Sequence, residues 1–600
     1  CELGSQPSSF IPTNGSEVVR PADVVTNNAG QLVDMMAGGT LVLDVADPQP
    51  SRAANADLSI AWTDPAQGSN NSVVSRLYGD LNNPITDAVV NLAGVQTQRL
   101  VGGILPANSS VRVALGMDTS GLTLADSTGA SASIVSPQVP NLNAITITPG
   151  GSSIISGIAH YPAKLSQAAM SSALGTSGPY AVTANPSSPG LTIPLDFSGI
   201  SFETSAVQQA PSLTVNTGLK NILSVLGSNG VVRFGGNTSD STTFTPSDSR
   251  IISGANFVAS LGSGWSAIWG LNWQKNDPTA SATQAADMVG VLGTGRVVFQ
   301  IGNEPDYYSP TVSFSSYQSQ WQSIHDGVVA SVPGARFGGP DIGQLTEGWM
   351  AQYISALGSQ SVMLSKHLYA YANVSTYRQP SSIVGMWSDY SADRFARDFG
   401  AQASSASLPV RMTETGTDSR QGEGDSLGAA IWQLWEMVQL AQAGWAGINI
   451  HAGDGVSSVP YYSPVSARAA DGTYAAKAPL YAMVMFNYLT GGQVIPITST
   501  APKRVTTFAV KGADGKTRIL ILDRDATRSA SMQVGASGAW STASVMLLTG
   551  ARYDATSVTL GGATIGSDGS FSPSPYTVVK VGSAAPVVVP PSSAALVTLQ

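Results

Sequence analysis

The sequence contains a single cysteine and few charged residues, and both shortages exclude classes of protein. The cysteine is Cys1, so no disulfide can form within one chain and no zinc site can be built from cysteine ligands. Only 11% of the 600 residues are charged, and the net charge is −9. Lys and Arg form no cluster, so nucleic acid is not an expected partner.

Histidine is also scarce, and long apolar runs are missing. The four histidines show neither His-x-His nor His-Glu-x-x-His spacing, which argues against a metalloenzyme. We therefore expect no metal and no cofactor. No apolar run reaches the roughly 18 residues of a membrane-spanning helix. Any membrane association is expected to depend on an anchor.

Two short segments, 297–306 and 410–416, each place a glutamate at the end of an apolar, strand-like run. These glutamates are Glu304 and Glu414. In a parallel barrel, a polar residue at the carboxyl end of a buried strand faces the cleft. A pair of carboxyl groups roughly 5 to 5.5 Å apart is what retaining glycoside hydrolysis needs. The two segments therefore predict a carboxylate pair with that chemistry.

Eight strand-like runs alternate with segments of helical spacing in the central part of the chain. Eight strand-then-helix units form a (β/α)8 barrel, or TIM barrel. Glu304 ends the fourth run and Glu414 ends the seventh. The predicted strands are 195–203, 231–237, 266–272, 297–304, 335–341, 363–369, 410–414 and 446–451, and the clearest helices are 426–444 and 479–489.

The chain is longer than one barrel needs, so further domains are expected. Residues 1–30, rich in Ser, Pro, Asn and Gly, predict a tether. Short apolar runs between turn residues predict an N-terminal β-sandwich over 31–165 and a C-terminal one over 493–600. The barrel is predicted over 195–492, and the strands in 178–194 are predicted to join the C-terminal β-sandwich.

The position of the cysteine predicts how the protein is held in the cell. A chain that begins Cys1-Glu2 looks like a bacterial lipoprotein after removal of its signal peptide, in which the cysteine carries the lipid. We therefore expect a lipid anchor on Cys1. The expected location is the bacterial cell envelope, either anchored at the outer membrane or cell surface, or periplasmic.

Beyond the two glutamates, the barrel region resembles glycoside hydrolase family 79, a clan A family of β-glucuronidases and heparanase. The resemblance runs from about residue 180 to the C-terminus. It is carried, in family order, by 195–203 (LDFSGISFE), 232–240 (VRFGGNTSD), 268–272 (IWGLN), 301–305 (IGNEP), 337–341 (FGGPD), 367–369 (HLY) and 413–415 (TET). It implies a retaining β-glycoside hydrolase that acts on a carbohydrate and needs no cofactor.

The same resemblance implies a role for each matched residue. Glu304 would be the general acid/base and Glu414 the nucleophile, and Asn303 would bind the sugar 2-hydroxyl. The other implied substrate-binding residues are Glu203, Asn237, Asp240 and Tyr369. For Asp240, a loop-capping role stays open.

One departure from the family concerns substrate choice. Heparanase-like members have a Tyr-Gly-Gly run after the nucleophile that holds the uronate carboxylate, whereas this chain has Asp418-Ser-Arg-Gln-Gly422. Arg420 either binds a carboxylate with two hydrogen bonds or is a solvated loop residue in a site that does not select uronic acids. Candidate sugar-stacking platforms are Trp265, Trp269, Trp273, Tyr307, Tyr308, Tyr461 and Tyr462.

The expected function is therefore a retaining β-glycosidase, with β-glucuronidase activity on uronic-acid-terminated glycans or glycosides favoured. Two alternatives remain within the class: an enzyme for a neutral β-glycoside, and an endo-acting polysaccharide hydrolase. A non-catalytic carbohydrate-binding surface lipoprotein is the alternative from another class, and it would not need both glutamates.

Overall fold

The structure is a computed structural model of the chain. It describes residues 25–27, 39–47, 56–64, 66–78, 85–104, 109–118, 120–126, 130–135, 142, 144–149, 154–161, 163–166, 169–170, 174, 180–207, 217–244, 248–343, 347–371, 400–401, 403–418, 424–456, 459–502, 504–525 and 530–600. Cys1, Arg420 and most of the predicted tether lie outside these residues. No helix within them is both long and apolar enough to cross a membrane.

The chain divides into two compact units, and the first is built from β-strands. It comprises Cys1–Tyr180 with two short later segments, Pro502–Arg504 and Thr527–Ser529. Its described strands form two antiparallel sheets. Leu41 of one sheet and Trp62 of the other belong to the same buried cluster, so the sheets share a core. An N-terminal all-β region is therefore confirmed.

The strands of this unit follow the predicted short apolar runs. The six-stranded sheet has the order β1-β10-β3-β4-β5-β6 and the five-stranded sheet the order β11-β2-β7-β8-β9. Their bounds are Val25–Asn27 (β1), Gly39–Asp47 (β2), Ala56–Asp64 (β3), Gly68–Tyr78 (β4), Ile85–Leu92 (β5), Val95–Ile104 (β6), Ser109–Asp118 (β7), Gly121–Asp126 (β8), Ala130–Val135 (β9), Ala144–Pro149 (β10) and Ile154–Tyr161 (β11).

The second unit contains a closed barrel of eight parallel strands, which confirms the predicted fold class. The strand before it, Tyr180–Ala184 (β12), belongs to a separate sheet. The barrel strands are Ser198–Glu203 (β13), Asn229–Gly235 (β14), Gly264–Leu271 (β15), Val297–Ile301 (β16), Phe337–Ile342 (β17), Met363–Tyr371 (β18), Val410–Asp418 (β19) and Gly447–His451 (β20).

Helices connect and cover the barrel strands. Several begin at a side-chain cap, such as Asp277, which accepts from the backbone N–H of Ala280, and Ser426, which accepts from that of Ala429. The α-helices are Thr217–Leu223 (α1), Ser249–Leu261 (α2), Pro278–Leu292 (α3), Phe314–Ser331 (α4), Glu347–Leu357 (α5), Leu427–Gln442 (α6) and Ala478–Asn487 (α7). The short 3-10 helices are Thr204–Val207, Ser224–Leu226, Asn237–Ser239, Thr294–Arg296, Pro305–Tyr307 and Gly358–Gln360.

Six of the eight barrel strands end at residues other than those predicted, and the fourth and seventh differ most. The fourth strand stops at Ile301 because Gly302 has φ +85° and Glu304 has φ +49°, and neither value is compatible with an extended strand. The seventh strand continues past Glu414 to Asp418 and pairs with β18, while its pairing with β20 is irregular. Glu304 therefore lies on a turn and Glu414 lies within a strand.

Two further sheets follow the barrel. Strand β12 pairs with β22 in a four-stranded sheet of order β22-β12-β25-β29, and the other sheet has the order β21-β23-β24-β30-β26-β27, with β28 beside β26. Their strands are Gln493–Val494 (β21), Ile497–Ser499 (β22), Val505–Lys511 (β23), Thr517–Asp523 (β24), Ala530–Ala536 (β25), Thr542–Gly550 (β26), Val558–Leu560 (β27), Tyr576–Val579 (β28), Ala585–Val589 (β29) and Ser593–Leu599 (β30).

The larger of these two sheets packs against the barrel. Leu520 and Leu522 of β24 belong to the same buried cluster as the barrel core. The alternate residues Ile519 and Ile521 are buried as well, so this strand is covered on both faces. The barrel and the larger C-terminal sheet thus share one continuous core.

Candidate active site

Glu304 and Glu414 lie together at the carboxyl end of the barrel. Glu304 has a left-handed conformation that a non-glycine residue rarely adopts. Its N–H donates to the carbonyl of Asp341 at 3.0 Å, and its own carbonyl accepts from the N–H of Tyr307 at 2.8 Å. A carboxylate oxygen of Glu304 lies within 4.8 Å of one of Glu414. That separation suits a retaining pair and is too short to admit the water of an inverting one.

Arg233, on β14, is the hub of the buried hydrogen bonds beneath this pair. Its guanidinium is 1% exposed, and its donors satisfy groups on four other barrel strands or their ends. Its partners are Oε2 of Glu414 at 2.8 Å, Oδ1 of Asn303 at 2.7 Å, Oε1 of Gln300 and Oγ of Ser201 at 3.0 Å each, and Oδ2 of Asp341. A rigid guanidinium fork suits such a role better than a lysine would.

His367, on β18, lies between the two glutamates. Its Nδ1 is 2.9 Å from Oε1 of Glu304 and 4.0 Å from Oε2 of Glu414, and its Nε2 is 3.0 Å from Oδ1 of Asp341. Burial would lower the pKa of His367, but the charges of Asp341 and Glu414 raise it to about 10. Because both ring nitrogens face carboxylates, the imidazole carries two protons and is a cation.

Glu414 is held as an anion by the groups that surround it. Burial alone would raise its pKa, but the charges of His451, His367 and Arg233 lower the pKa to about 2. The hydroxyl of Tyr369 also donates to Oε1 of Glu414 at 2.6 Å, and this bond favours the ionised form. Both oxygens of the carboxylate therefore have a fixed donor, and the group is ionised at neutral pH.

His451, at the end of β20, joins Glu414 to Glu203. Its Nδ1 is 3.9 Å from Oε2 of Glu414 and 3.3 Å from Oγ of Ser201, and its Nε2 is 3.5 Å from Oε1 of Glu203. Burial opposes its protonation, but the charges of Glu414 and Glu203 raise its pKa. Glu203 also accepts from the N–H and the hydroxyl of Thr238 at 2.8 and 2.6 Å.

Asn303 and Asn237 lie beside the glutamates, and Asp240 supports them from below. The amide of Asn303 donates to Oδ1 of Asn237 at 3.4 Å. The carboxylate of Asp240 accepts from the backbone N–H of Asn303 at 3.0 Å and of Trp273 at 2.8 Å, and from the hydroxyl of Tyr308. Burial raises the pKa of Asp240. The contacts of Asp240 fit the loop-capping role that the sequence left open.

Most of the aromatic residues considered as sugar platforms lie in the core. Trp265, Trp269 and Trp273 are buried, and the phenol of Tyr308 donates to Asp240. Tyr462 is nearly buried and packs on the ring of Tyr369, with 5.5 Å between the ring centroids. The exposed members of the set are Tyr307 and Tyr461, which are 57% and 48% exposed.

Tyr307 is the exposed aromatic residue next to Glu304. A Cβ placed on Gly343 would lie 2.3 Å from the Tyr307 ring and 2.9 Å from Cδ of Glu304. Only glycine allows the ring and the carboxyl group to approach the same backbone atom so closely. Tyr307, which is 57% exposed, therefore lies close to the acid/base candidate.

The donor set around the glutamates fits proton transfer better than metal binding. Glu304, His367 and Glu414 offer ligand atoms within 4.8 Å of one another among the described residues. A metal would have to displace a proton from His367, and the raised pKa of that imidazole opposes this. The carboxylates are instead balanced by Arg233, His367 and His451.

The structure thus brings together Glu304, Glu414, Asn303, Tyr369 and Glu203, with Asn237 at the rim. The sequence did not single out Arg233, Asp341, His367 or His451 as site residues. A usable signal existed, because each lies on a predicted barrel strand at or near its carboxyl end, and the first three fall in the motifs quoted above. Charged residues in such an apolar strand need a partner inside the barrel.

No protein-family model and no curated protein matches this chain. Solved structures do resemble it. A 4-O-α-L-rhamnosyl-β-D-glucuronidase from Fusarium oxysporum 12S is 19% identical with a TM-score of 0.56, over 70% of this chain and 99% of that one. A GH51 arabinofuranosidase from Xanthomonas axonopodis pv. citri is 14% identical with a TM-score of 0.54, over 70% and 100%.

A third structure, the bifunctional glucanase-xylanase CelM2 from a metagenome library, is 13% identical with a TM-score of 0.50, over 70% of this chain and 99% of that one. At these identities the likeness concerns the fold alone, because one barrel fold supports many different reactions. The chain therefore shares the barrel and β-domain architecture of several glycoside hydrolases, and its own chemistry has to be argued from its site.

Proposed function

We propose that this protein is a retaining glycoside hydrolase in which Glu414 is the nucleophile and Glu304 the general acid/base. The observation that carries the proposal is the carboxylate pair, with oxygens within 4.8 Å of each other at the carboxyl end of a (β/α)8 barrel. Enzymes with this fold place their catalytic groups at that end. The separation suits a double displacement through a covalent glycosyl-enzyme.

In the first step, Glu414 attacks the anomeric carbon while Glu304 protonates the oxygen of the leaving group. Ionisation of Glu414 is ensured by its three cationic neighbours, so the nucleophile does not have to lose a proton first. In the second step, Glu304 removes a proton from water, and the water attacks the anomeric carbon and releases Glu414. The roles of acid and base are thus taken in turn by one group.

The surrounding residues would orient the sugar and balance its charge. The family resemblance implies that the amide of Asn303 binds the 2-hydroxyl group, and the 2.7 Å bond from Arg233 to its Oδ1 would hold that amide in one orientation. His367 contacts Glu304 directly and lies near Glu414. It therefore couples the two carboxylates, because a change of charge on one alters the field at the other.

For the substrate, we propose a β-glucuronide. The support is the family resemblance, the likeness in fold to a rhamnosyl-glucuronidase, and the cationic groups Arg233, His367 and His451 beneath the cleft. A neutral β-glycoside is the second candidate, and it is favoured by Glu203. That carboxylate has a lowered pKa despite its burial, and a negative charge there would repel a uronate placed close to it.

Release of 4-nitrophenol from the β-linked glucuronide, glucoside, xyloside and galactoside tests both the proposed reaction and the proposed substrate. Turnover of the glucuronide alone would support the proposed β-glucuronide substrate. Turnover of a neutral glycoside would show that the second candidate is correct. The Glu414→Gln variant is the blank, and wild-type rates from it would overturn the assignment of the nucleophile. Silence of the wild-type protein on all four, and on β-linked polysaccharides, would favour a non-catalytic carbohydrate-binding protein.

The role of Glu304 has its own test. Replacing it with Gln should cost roughly 10² to 10⁴-fold with a poor leaving group and much less with 2,4-dinitrophenolate, which leaves without a proton. Equal losses with both leaving groups would count against an acid at this position. The matched control is Asp306→Asn, which changes a neighbouring carboxylate that accepts from the N–H of Gly343 at 3.1 Å.

A further inference from the structure

A buried glutamate lies outside the barrel wall, directly behind the strand that carries Glu414. This residue is Glu436, on α6, and it is 1% exposed. Its Oε1 lies 3.1 Å from Oγ1 of Thr415, the residue next to Glu414. Its Oε2 accepts from the amide of Gln433 at 2.6 Å. No charged group from the described part of β18, β19, β20 or α6 shifts its pKa, which burial raises to about 8.

The hydroxyl group of Thr415 indicates where the proton of this cluster lies. Its oxygen is 2.7 Å from the carbonyl oxygen of Leu368, and a carbonyl can only accept. A hydroxyl has one proton, and the shorter contact takes it. The contact between Thr415 and Glu436 then needs a second proton, and the carboxyl group of Glu436 is the group that can supply it.

We propose that Glu436 is a neutral carboxylic acid whose proton positions the nucleophile strand, by donating to Thr415 so that Thr415 can donate to Leu368. This chain of hydrogen bonds ties α6 to β19 and β19 to β18. It meets β18 between His367 and Tyr369, the two residues on that strand that contact the candidate catalytic glutamates. Glu436 is thus a positioning residue, and its effect on activity rests on the proposed function.

Ionisation of Glu436 would rearrange this chain. The carboxylate would attract the hydroxyl proton of Thr415, and the carbonyl of Leu368 would lose its donor. An unsatisfied buried carbonyl is costly, so β18 and β19 would separate or shift at the point where Tyr369 donates to Glu414. The reaction should therefore slow as Glu436 loses its proton at alkaline pH.

Infrared spectroscopy tests the proton without any assumption about activity. At pH 6.5 the wild-type protein should show a carbonyl band of a neutral carboxylic acid that the Glu436→Gln variant lacks, and the band should fade toward pH 9.5. The control is Asp471→Asn, because Asp471 is fully exposed and has a lowered pKa. That variant should lose a carboxylate band only. A wild-type spectrum without the acid band would overturn the proposal.

The pH dependence of turnover tests positioning. With a 2,4-dinitrophenyl glycoside, the leaving group needs no proton from Glu304, so kcat/KM does not depend on the acid role of that residue. Wild type should then lose activity above pH 8, by about tenfold at pH 9. Glu436→Gln should keep its neutral activity within about twofold and lack this limb, since its amide can donate to Thr415 permanently.

Glu436→Ala separates positioning from folding. It leaves Thr415 without its donor at every pH, so kcat should fall at neutral pH too, and Glu436→Gln should restore it. Identical alkaline limbs in wild type and Glu436→Gln would overturn the positioning role even if the infrared band is present. Absence of all glycosidase activity in wild type would reject the proposed function and leave the infrared result to decide the protonation.

Discussion

Two buried glutamates lie on opposite sides of one barrel strand, and they differ in charge. Glu414 is on β19 and faces the interior of the barrel, where three cationic side chains lower its pKa to about 2. Glu436 faces the other side of that strand through Thr415, and burial raises its pKa to about 8. Both are buried, so burial alone cannot account for the difference.

The comparison shows that the neighbours of a buried carboxyl group decide its state. Burial disfavours the charged form at both places. Inside the barrel this cost is offset by Arg233, His367 and His451, whereas the partners of Glu436 among the described residues are the neutral side chains of Thr415 and Gln433. The same residue type therefore serves as a permanent anion on one side of the strand and as a proton donor on the other.

The same substitution at both positions should affect the two glutamates very differently. Glu414→Gln should lower kcat on the order of 10⁴-fold or more, because the amide cannot attack the anomeric carbon. Glu436→Gln should change kcat at neutral pH by no more than about twofold, since the amide replaces a neutral donor. Assays of both variants on one active glycoside at pH 6.5 measure the contrast, and similar losses would show that it is false.

Removing the charge of Arg233 should raise the pKa of Glu414 toward that of Glu436. In Arg233→Met, both Glu414 and Asp341 lose a buried partner, and breaking such a pair costs about 3 to 5 kcal/mol. The pKa of Glu414 should rise, so an acidic limb should appear in the pH profile of any remaining activity. Denaturant unfolding and a pH series measure the two effects, and Arg296→Met, on the outer side of the barrel base, is the control.

The stability of the barrel unit should depend on pH in opposite directions for the two glutamates. Glu436 has a folded pKa of about 8 and an ordinary value of 4.5, so the folded state binds more protons between those values. The contribution of Glu436 to the free energy of unfolding is therefore complete below pH 4.5. It falls by about 1.4 kcal/mol per pH unit as the pH rises to about 8. Glu414 contributes above pH 4.5 and loses its contribution as pH falls toward 2.

Tryptophan fluorescence during denaturant unfolding at several pH values measures this dependence. Trp432 and Trp435 lie on α6 beside Glu436. Between pH 5 and 8, Glu436 should make the free energy of unfolding of the wild-type protein decline. The Glu436→Gln variant should lack this part of the decline. An unchanged slope would mean that Glu436 does not hold its proton through this range.

The sequence predicted the barrel and both candidate catalytic glutamates because the relevant signals are local. Each barrel strand is an apolar run, and Glu304 and Glu414 follow such runs directly. The eight predicted strands all exist, with ends that differ by a few residues. The predicted end of the fourth strand was wrong because Glu304 has a positive φ. The backbone of Glu304 is hydrogen-bonded to Tyr307, three residues later, and to Asp341, which is far away in the sequence.

The charge state of the site could not be predicted in the same way. It depends on which side chains meet across the barrel, and the ion pair of Arg233 with Glu414 spans 181 positions in the chain. Glu436 gave no signal because a glutamate in a helix is ordinarily taken to face solvent. Only the position of α6 against β19 shows that it is buried. Arg420 and the anchor on Cys1 lie outside the described residues and stay predictions.

The smallest effect should come from the amide that supports Glu436. Gln433→Leu removes the 2.6 Å bond to Oε2 of Glu436, which should cost about 1 kcal/mol of stability at pH 6.5. The same bond lowers the pKa of Glu436, so its loss should move the alkaline limb to higher pH. A packing defect would lower the stability without widening the pH range of activity. Gln439→Leu, on the same helix, is the control. A limb that moves to lower pH would mean that Gln433 stabilises the neutral acid and not the carboxylate.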